Sequence, residues 1–204
     1  VVTQVRVDKE DPSFKKPSKP IGPFYTKEEA DAEAAKDGST YVEDAGRGYR
    51  KVVPSPMPKE IVEKEAVRAL VEADVLTICS GGGGIPVVAE DGQYVGVEAV
   101  NDKDFSARVL AENVDADRLI ILTGVDNIYI NYNQPDQKAL EQISVAEAEE
   151  YIKEGHFAAG SMLPKIEAAL DFVKGDDKRK AIITSIENLE NIDKEAGTVI
   201  SQKG

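Results

Sequence analysis

The sequence has little that suits a membrane protein, a disulfide-bonded protein or a nucleic-acid-binding protein. Its longest apolar runs, such as 75–79 and 119–122, are far shorter than the ~20 residues that cross a bilayer, which predicts a soluble protein with no membrane partner. The one cysteine, Cys79, can form no internal disulfide, and no CxxC or Cys/His cluster suggests zinc, so a reducing cytoplasmic setting is expected. The net charge of -13 argues against a nucleic-acid partner, so any phosphate ligand must meet a local cluster of cations.

The chain also begins without a methionine or a leader. Residues 1–7 have the β-branched character of a strand of the main domain. Because a chain that starts inside a strand looks cut, we expect an N-terminal part to be absent, either by processing or by truncation.

The next stretch differs in composition from the rest. Asp8 to Pro23 is rich in proline and lysine, which predicts a loop or linker rather than a helix or a central strand. Thr26 followed by two glutamates predicts a capped helix that runs to about Lys36. Two short extended pieces flank the turn at 45–48, so residues 8–54 are predicted to form a small, separate subdomain.

From Pro58 onward, predicted helices and strands alternate. The helices are expected over 60–73, 104–113, 144–153 and 163–174, and the strands over 75–79, 118–122 and 181–184. Continuous apolar strands between helices indicate a mainly parallel sheet that is covered on both faces. The predicted fold class is therefore α/β, a sandwich, with residues 55–204 as the main domain.

A glycine-rich loop directly follows the predicted strand 75–79. It consists of Ser80, Gly81, Gly82, Gly83 and Gly84. Open α/β sheets bind ligands at the carboxyl ends of their strands, and bare backbone amides can hold phosphate there. The run is neither a Walker A loop nor a GxGxxG fingerprint, so a tight structural turn and a phosphate or substrate loop both remain open.

Two predicted helices begin with a lysine, which opposes the helix dipole. Asp102 and Asp104 flank Lys103. Either they compensate its charge, or Lys103 faces a phosphate and one of the two aspartates orients it or holds magnesium. Lys165 follows Ser161, a good N-cap, and either meets a phosphate at the helix start or extends into solvent.

A second loop lies at the end of the strand 118–122. Its residues are Thr123, Gly124, Val125 and Asp126. With Tyr129 and Tyr132 this loop could wall an adenine pocket, although a tyrosine near a loop is more often a packing residue. His156 has no serine or cysteine partner and is interpreted as structural, and Cys79 is interpreted as a small core residue.

Taken in chain order, several segments resemble those of carbamate kinases. They are Lys19–Phe24, Glu43–Pro56, Gly81–Val87, Asp102–Asp104, Leu122–Asp126 and Gly155–Lys165. The match spans nearly the whole chain. The stretch Ala45 to Pro56 is specific to carbamate kinases rather than to amino-acid kinases at large.

The resemblance implies a three-layer αβα sandwich of the amino-acid kinase type, with residues 8–54 as a protruding lid. It implies reversible phosphoryl transfer between ATP and carbamate, giving ADP and carbamoyl phosphate, with Mg²⁺ and no metal site built by the protein alone. A homodimer and a role in arginine metabolism come with it. The residues implied near the transferred phosphate are Lys19, Lys103 and Lys165, organised by Asp104, and those near the nucleotide are Thr123 to Asp126, Tyr132, Ser161 and Met162.

The sequence departs from the family at two motifs. Gly-Gly-Asn-Ala and Gly-Asn-Gly-Pro, which help to hold the phosphates and carbamate, do not occur in these residues, so the isolated chain is expected to be inactive. One alternative is another amino-acid kinase, acting on acetylglutamate or uridylate, which should lack the segment 45–56. The other is a non-catalytic nucleotide-binding or interaction fragment, which would bind nucleotide without turnover.

Overall fold

The computed structural model of the protein describes residues 1–44 and 46–204. The strands are β1 Gln4–Arg6, β2 Lys19–Tyr25, β3 Thr40–Glu43, β4 Tyr49–Val53, β5 Glu60–Ile61, β6 Ile85–Glu90, β7 Gln93–Gly96, β8 Arg118–Thr123, β9 Ile128–Ile130, β10 Lys138–Leu140, β11 Gln142–Ser144, β12 Lys180–Ser185 and β13 Thr198–Ser201. The α-helices are α1 Lys27–Asp37, α2 Lys64–Glu72, α3 Lys103–Asn113, α4 Val145–Lys153 and α5 Met162–Lys174, and short 3₁₀ turns cover Pro12–Phe14 and Glu187–Lys194. Within the described residues, no helix is both long and apolar enough to cross a bilayer.

The chain divides into two compact units. Unit 1 comprises Val1–Glu63 and Ile78–Lys103, and unit 2 comprises Lys64–Thr77 and Asp104–Gly204. The chain therefore passes from one unit to the other three times. The division predicted from the sequence, into 1–7, 8–54 and 55–204, stays a prediction.

Unit 1 contains a mixed sheet in the order β5-β1-β6-β7. β1 pairs with β6 in parallel and with β5 in antiparallel fashion, which buries Val5 and Ile61 completely. β6 and β7 form a hairpin whose turn residues, Asp91 and Gly92, both have positive φ angles, as a tight two-residue hairpin turn requires.

Unit 1 also contains a small sheet in the order β2-β4-β3, against which α1 packs. α1 begins with a capping box, because Thr26 accepts from the backbone of Glu29 while the Glu29 side chain accepts from the backbone of Thr26, and Gly38 ends it in the left-handed conformation. The helix predicted here is confirmed to within one residue. The turn predicted at 45–48 begins at Ala45, which lies outside the described residues.

The loop predicted over Asp8 to Pro23 is partly wrong, because β2 starts at Lys19 and contains two prolines. β2 lies at the edge of its sheet, with β4 as its partner. An edge strand tolerates proline, since the missing N–H is not needed for a second neighbour.

Unit 2 is built around a sheet in the order β11-β13-β12-β8. β8 pairs with β12 and β11 with β13 in parallel, whereas β12 and β13 are antiparallel. α5 supplies much of the core against this sheet, with Ile166, Phe172 and Val173 completely buried. β9 and β10 form a separate two-stranded ribbon.

Two predictions near the junctions between the units are wrong. The segment Val75 to Cys79 is neither strand nor buried, since Leu76 is 95% and Ile78 is 83% exposed. An apolar run shows that a segment suits a sheet, but a strand forms only where a neighbouring strand supplies hydrogen-bond partners. The helix predicted over 60–73 begins only at Lys64, because Glu60 and Ile61 pair with β1 instead.

Candidate active site

A cavity of about 590 Å³ lies in unit 2, where β8 ends and α5 begins. Its lining residues are Thr123, Gly124, Val125, Tyr129, Asn131, Tyr132, Gly155, His156, Phe157, Ala158, Ser161, Met162 and Lys165. The two sequence segments meet here because β8 carries the first loop at its carboxyl end, while the second segment leads into the first turn of α5. A site at the carboxyl end of a strand is the usual ligand position in open α/β sheets.

Most of the residues that were predicted to contact the nucleotide line this cavity. Thr123, Gly124 and Val125 form one side, and Tyr132, Ser161 and Met162 lie with them. Asp126 is placed differently, because its carboxylate accepts a hydrogen bond of 2.5 Å from Ser185 Oγ and its carbonyl accepts from Thr184 Oγ1 at 3.3 Å. Asp126 thus ties the loop to the end of β12.

The aromatic side chains give this cavity a wall suited to a flat ring. The Tyr129 and Tyr132 rings have centroids 5.9 Å apart and are tilted by 43°. Tyr132 is half exposed, and an added Cβ at Gly124 would meet no atom within 4 Å. A ring that enters between these residues therefore finds apolar surface and open space.

The segment 155–158 is the part of this cavity that the sequence did not predict. His156, interpreted above as structural, lines the cavity while its Nε2 lies 3.0 Å from Glu154 Oε2. Its ring also packs edge-on against Tyr151 at 5.8 Å. Glycine, alanine and phenylalanine carry no chemical signature of a site. The available signals were their position just before the first turn of α5 and their place in the segment Gly155–Lys165, which resembles carbamate kinases.

An ion pair between Lys165 and Asp104 lies at the edge of the cavity. Lys165 Nζ donates to both carboxylate oxygens of Asp104, at 3.1 Å and 2.9 Å, and the two side chains are only 12% and 9% exposed. This contact rules out the alternative in which Lys165 extends into solvent. Asp104 lies in the first turn of α3, where the helix dipole favours a carboxylate.

The start of α5 lacks a side-chain cap. Ser161 occupies the N-cap position, but it makes no capping hydrogen bond, unlike Ser144 at the start of α4. A side-chain cap has little to bind here, because the Leu163 amide already donates to the carbonyl of Ala158 at 3.1 Å and Pro164 has no N–H. The positive end of the helix dipole still favours an anion at this position.

A second lysine–aspartate pair lies in unit 1. Lys19, the first residue of β2, donates from its ammonium group to Asp102 Oδ2, and Asp102 is buried. Lys103 follows in the chain and begins α3 with an exposed side chain. Each of the two aspartates that flank Lys103 in the sequence thus holds a lysine from another element of its own unit.

The glycine loop does not follow a strand, contrary to the prediction, but each of its glycines can be assessed. An added Cβ at Gly83 would collide with the carbonyl oxygen of Asn101, and one at Gly84 would come within 2.5 Å of Val5 Cγ2. Both glycines are therefore required by packing. Gly81 needs a positive φ of 42°, whereas Gly82 has neither a close neighbour nor a positive φ.

Cys79 is half-buried rather than a core residue, because the segment that it ends is not a strand. Burial raises the pKa of its thiol. The thiol therefore has little thiolate character near neutral pH.

The comparisons with known proteins identify the family. The model of the amino acid kinase family matches residues 26–185. The chain belongs to the amino acid kinase family. The α/β fold class predicted from the sequence is thereby confirmed, and the site described above lies almost entirely inside the matched region.

The most informative relatives are carbamate kinases. The chain is 56% identical to a carbamate kinase of Lentilactobacillus hilgardii; the match includes 100% of this chain and 64% of that protein. It is also 56% identical to carbamate kinase 1 of Enterococcus faecium; that match includes 99% of this chain and 65% of that protein. The resemblance stated above is thereby confirmed. The chain thus spans about 64% of the length of the curated relative from Lentilactobacillus hilgardii.

The solved structures that resemble this chain include carbamate kinases. The carbamate kinase from Giardia lamblia bound to citric acid matches with a TM-score of 0.90 at 44% identity, over 98% of this chain and 63% of that one. The same enzyme bound to AMP-PNP matches with a TM-score of 0.85 at 46% identity, over 98% and 64%. An N-acetylglutamate synthase from Neisseria gonorrhoeae, at 18% identity and a TM-score of 0.54, shares the fold alone.

Proposed function

We propose that the protein acts as a carbamate kinase, which transfers a phosphoryl group reversibly between ATP and carbamate. The observation that carries this proposal is the buried ion pair of Lys165 with Asp104 at the edge of an open cavity with aromatic walls. Further support comes from relatives that are carbamate kinases and are 52–57% identical to this chain, for example 57% in Clostridium perfringens and 52% in Oenococcus oeni.

The cavity in unit 2 is proposed as the nucleotide site. Tyr132 and Met162 would contact the adenine, while Thr123, Gly124 and Val125 line the other side and Asp126 anchors the loop to β12. The N-terminal end of α5, next to Ser161, would hold the phosphates, which the positive end of its dipole attracts. An AMP-PNP complex of the Giardia lamblia enzyme, which shares this fold, supports a nucleotide of this type.

The reaction needs positioning and charge neutralisation more than it needs acid–base catalysis. A carboxylate oxygen of carbamate attacks the γ-phosphorus of ATP, the bond from that phosphorus to the bridging oxygen breaks, and its electron pair stays on the β-phosphate of ADP. Carbamate is already an anion, so no proton has to be removed first. No side chain of the protein is phosphorylated in this scheme.

The lysines would neutralise the charge that three phosphoryl oxygens carry during transfer. Lys165 is held by Asp104 and Lys19 by Asp102, so each ammonium group is fixed before substrate arrives. Lys103, exposed at the start of α3, is proposed as a further cation for phosphate. Gly81 to Gly84 are proposed as the phosphate or substrate loop.

Mg²⁺ is proposed to accompany the nucleotide. Bound there, it would neutralise phosphate charge. Among the described residues there is no group of three or more His, Cys, Asp and Glu side chains that could hold a metal. Such a group is not needed, because Mg²⁺ in kinases usually keeps several waters and binds phosphates with one or two carboxylates.

A homodimer, a cytoplasmic location and a role in arginine metabolism are part of the same proposal. They rest on the similarity to carbamate kinases and, for the location, on the composition, which has a single, half-buried cysteine. Sedimentation of the purified protein would test the dimer.

The test of the activity is ATP formation from ADP and carbamoyl phosphate by the protein in its native length. We expect turnover, and we expect none when carbamoyl phosphate is replaced by acetylglutamyl phosphate. Activity with the latter alone would assign the protein to another amino acid kinase. Tight ADP binding without turnover on either substrate would identify a non-catalytic nucleotide-binding protein.

A further inference from the structure

Asp44 and residues 46–50 have no part in the site described so far. They lie against an irregularity in β2. Ile21 pairs with Lys51 and Tyr25 pairs with Tyr49, so three residues of β2 stand opposite Arg50 alone. Gly22 begins this bulge with a φ of 71°. Bulges of this kind re-aim the side chains of a strand and are common next to active sites.

Arg50 holds the bulge with its own side chain. Its Nε donates to the carbonyl of Gly22 at 3.0 Å, its Nη1 donates to Asp44 Oδ2 at 3.3 Å, and its guanidinium lies 5.1 Å from the centroid of the Phe24 ring. One planar side chain therefore contacts the first residue of the bulge, the last residue of the bulge and the turn before β4. Lysine cannot reproduce this set of contacts, because it lacks the planar fork of donors.

Arg47 provides a comparison within the same turn. Its guanidinium lies 4.8 Å from the centroid of the same Phe24 ring and 3.4 Å from Asp44 Oδ1, but its bonds do not include the carbonyl of Gly22. Its side chain is 62% exposed, against 24% for Arg50. The contact with the bulge carbonyl and the deeper burial thus distinguish Arg50.

Gly48 brings the turn close to the other end of the bulge. It has a φ of 125°, and an added Cβ would lie 2.8 Å from the carbonyl oxygen of Tyr25. Its own carbonyl accepts from the backbone of Asp44 at 2.8 Å. The turn therefore fits against β2 only because this position has no side chain.

Lys19 lies in β2 on the N-terminal side of the bulge. Lys19 pairs with Val53, on the side of the bulge where β2 and β4 are in regular register. Side chains alternate along a strand, so a slip of one residue would turn Lys19 away from Asp102. We propose that Arg50 is a positioning residue, which fixes the bulge of β2 and thereby keeps the Lys19 ammonium on Asp102. This inference rests on the proposed function for its effect on turnover.

The kinetic test combines Arg50→Ala with Lys19→Ala in the protein in its native length. We expect Arg50→Ala to lower kcat by roughly 10- to 100-fold, as a displaced active-site group does, while KM for ADP stays unchanged. In the Lys19→Ala background the same change should have no further effect, because the group that it positions is gone. Arg47→Ala is the matched control and should keep normal turnover, and Arg50→Lys should recover only part of the activity.

A second measurement does not depend on activity. Hydrogen exchange at the amide of Ile21 and at that of its partner Lys51 should accelerate in Arg50→Ala and stay unchanged in Arg47→Ala. Unchanged exchange in Arg50→Ala would overturn the inference, and so would equal losses of kcat with and without Lys19. Accelerated exchange in a protein that makes no ATP from carbamoyl phosphate would support the positioning role and count against the proposed function alone.

Discussion

Lys165 and Lys19 are each held by a buried carboxylate before any substrate is present. A lysine side chain has about 2 kcal/mol of rotamer entropy, and a charge-assisted bond to an aspartate removes much of that freedom in advance. The carboxylate also compensates for partial burial of the ammonium group. What each pair provides is therefore a fixed position for a positive charge.

The first prediction concerns Lys165. Lys165→Ala should lower kcat by about 100- to 1,000-fold, as loss of one preorganised donor to a transition state does, with a smaller effect on the Kd for ADP. Steady-state kinetics and calorimetry measure the two quantities. Lys174→Ala is the control on the same helix, since Lys174 pairs with Glu149 at the surface at 2.6 Å. Normal turnover in Lys165→Ala would contradict the assignment.

The second prediction separates the glycines of the loop 81–84. Gly82→Ala should leave the Tm unchanged, because its added Cβ meets no atom and its φ is not positive, but should weaken the binding of carbamoyl phosphate. Gly83→Ala should lower the Tm, because its Cβ would collide with the carbonyl of Asn101. If Gly82→Ala has normal kinetics, the loop is a structural turn only.

At the scale of helices and strands, the third prediction compares two serine caps. Ser144 accepts from the backbone of Glu147 in a capping box, so Ser144→Ala should lower the free energy of unfolding by about 1 kcal/mol. Ser161 makes no capping bond, so Ser161→Ala should change stability little but weaken AMP-PNP binding at the start of α5. Denaturant unfolding and calorimetry give both values. Equal destabilisation by the two changes would show that Ser161 is an ordinary cap.

The fourth prediction concerns the loss of stability at low pH near the small sheet of unit 1. Hydrogen bonds from Ser39, together with Lys51, lower the pKa of Asp37 to about 2 from its ordinary 3.8. Since the folded pKa lies below the unfolded one, the stabilisation is complete above about pH 4 and is lost as the pH falls toward 2. An NMR titration of the Asp37 carboxyl carbon should have its midpoint near 2.

The matched variant is Lys51→Ala. It should raise the Asp37 midpoint only in part, because the bonds from Ser39 are the larger cause. A midpoint at the ordinary value in the unchanged protein would show that the Asp37 contacts do not persist in solution.

Helices were easier to predict than strands in this chain. The ends of α1 and α4 follow from Thr26, Gly38 and Ser144, because capping depends on residues a few positions apart. The strand predicted over 75–79 failed because pairing depends on residues far away in the sequence. β2 was missed for the opposite reason: its prolines argue against a central strand, but β2 lies at an edge.

The candidate site likewise contains residues that could be predicted from the sequence and residues that could not. Lysines at helix starts and the loop after β8 have a chemical signature, and they could be predicted. The partners of the lysines could be predicted only in part: Asp104 was expected to organise them, whereas the pairing of Lys19 with Asp102 depends on the tertiary fold. The walls formed by 155–158 have no signature in a single sequence.

At the scale of the whole molecule, the net charge is opposite in sign to the charge of the groups that are proposed to meet phosphate. The net charge is -13, yet the groups proposed to meet phosphate are lysines, two of which are seen paired with an aspartate. An acidic surface would repel long polyanions while the local cations attract a small one. On the proposed function, this difference predicts that the protein binds a nucleotide in preference to a nucleic acid.

The interleaved path of the chain has a consequence for biosynthesis. The pairings of β2, β3 and β4 and the packing of α1 all lie within residues 19–53, so they need no later part of the chain. β1, in contrast, can pair only after β5 and β6 have been synthesised, and unit 1 is complete only after Lys103 has been added. Contacts between residues close in sequence form first, because they close shorter loops. On a stalled ribosome whose nascent chain has exposed Val53, pulse-labelled hydrogen exchange should already find the β4 amides protected while those of β1 still exchange freely.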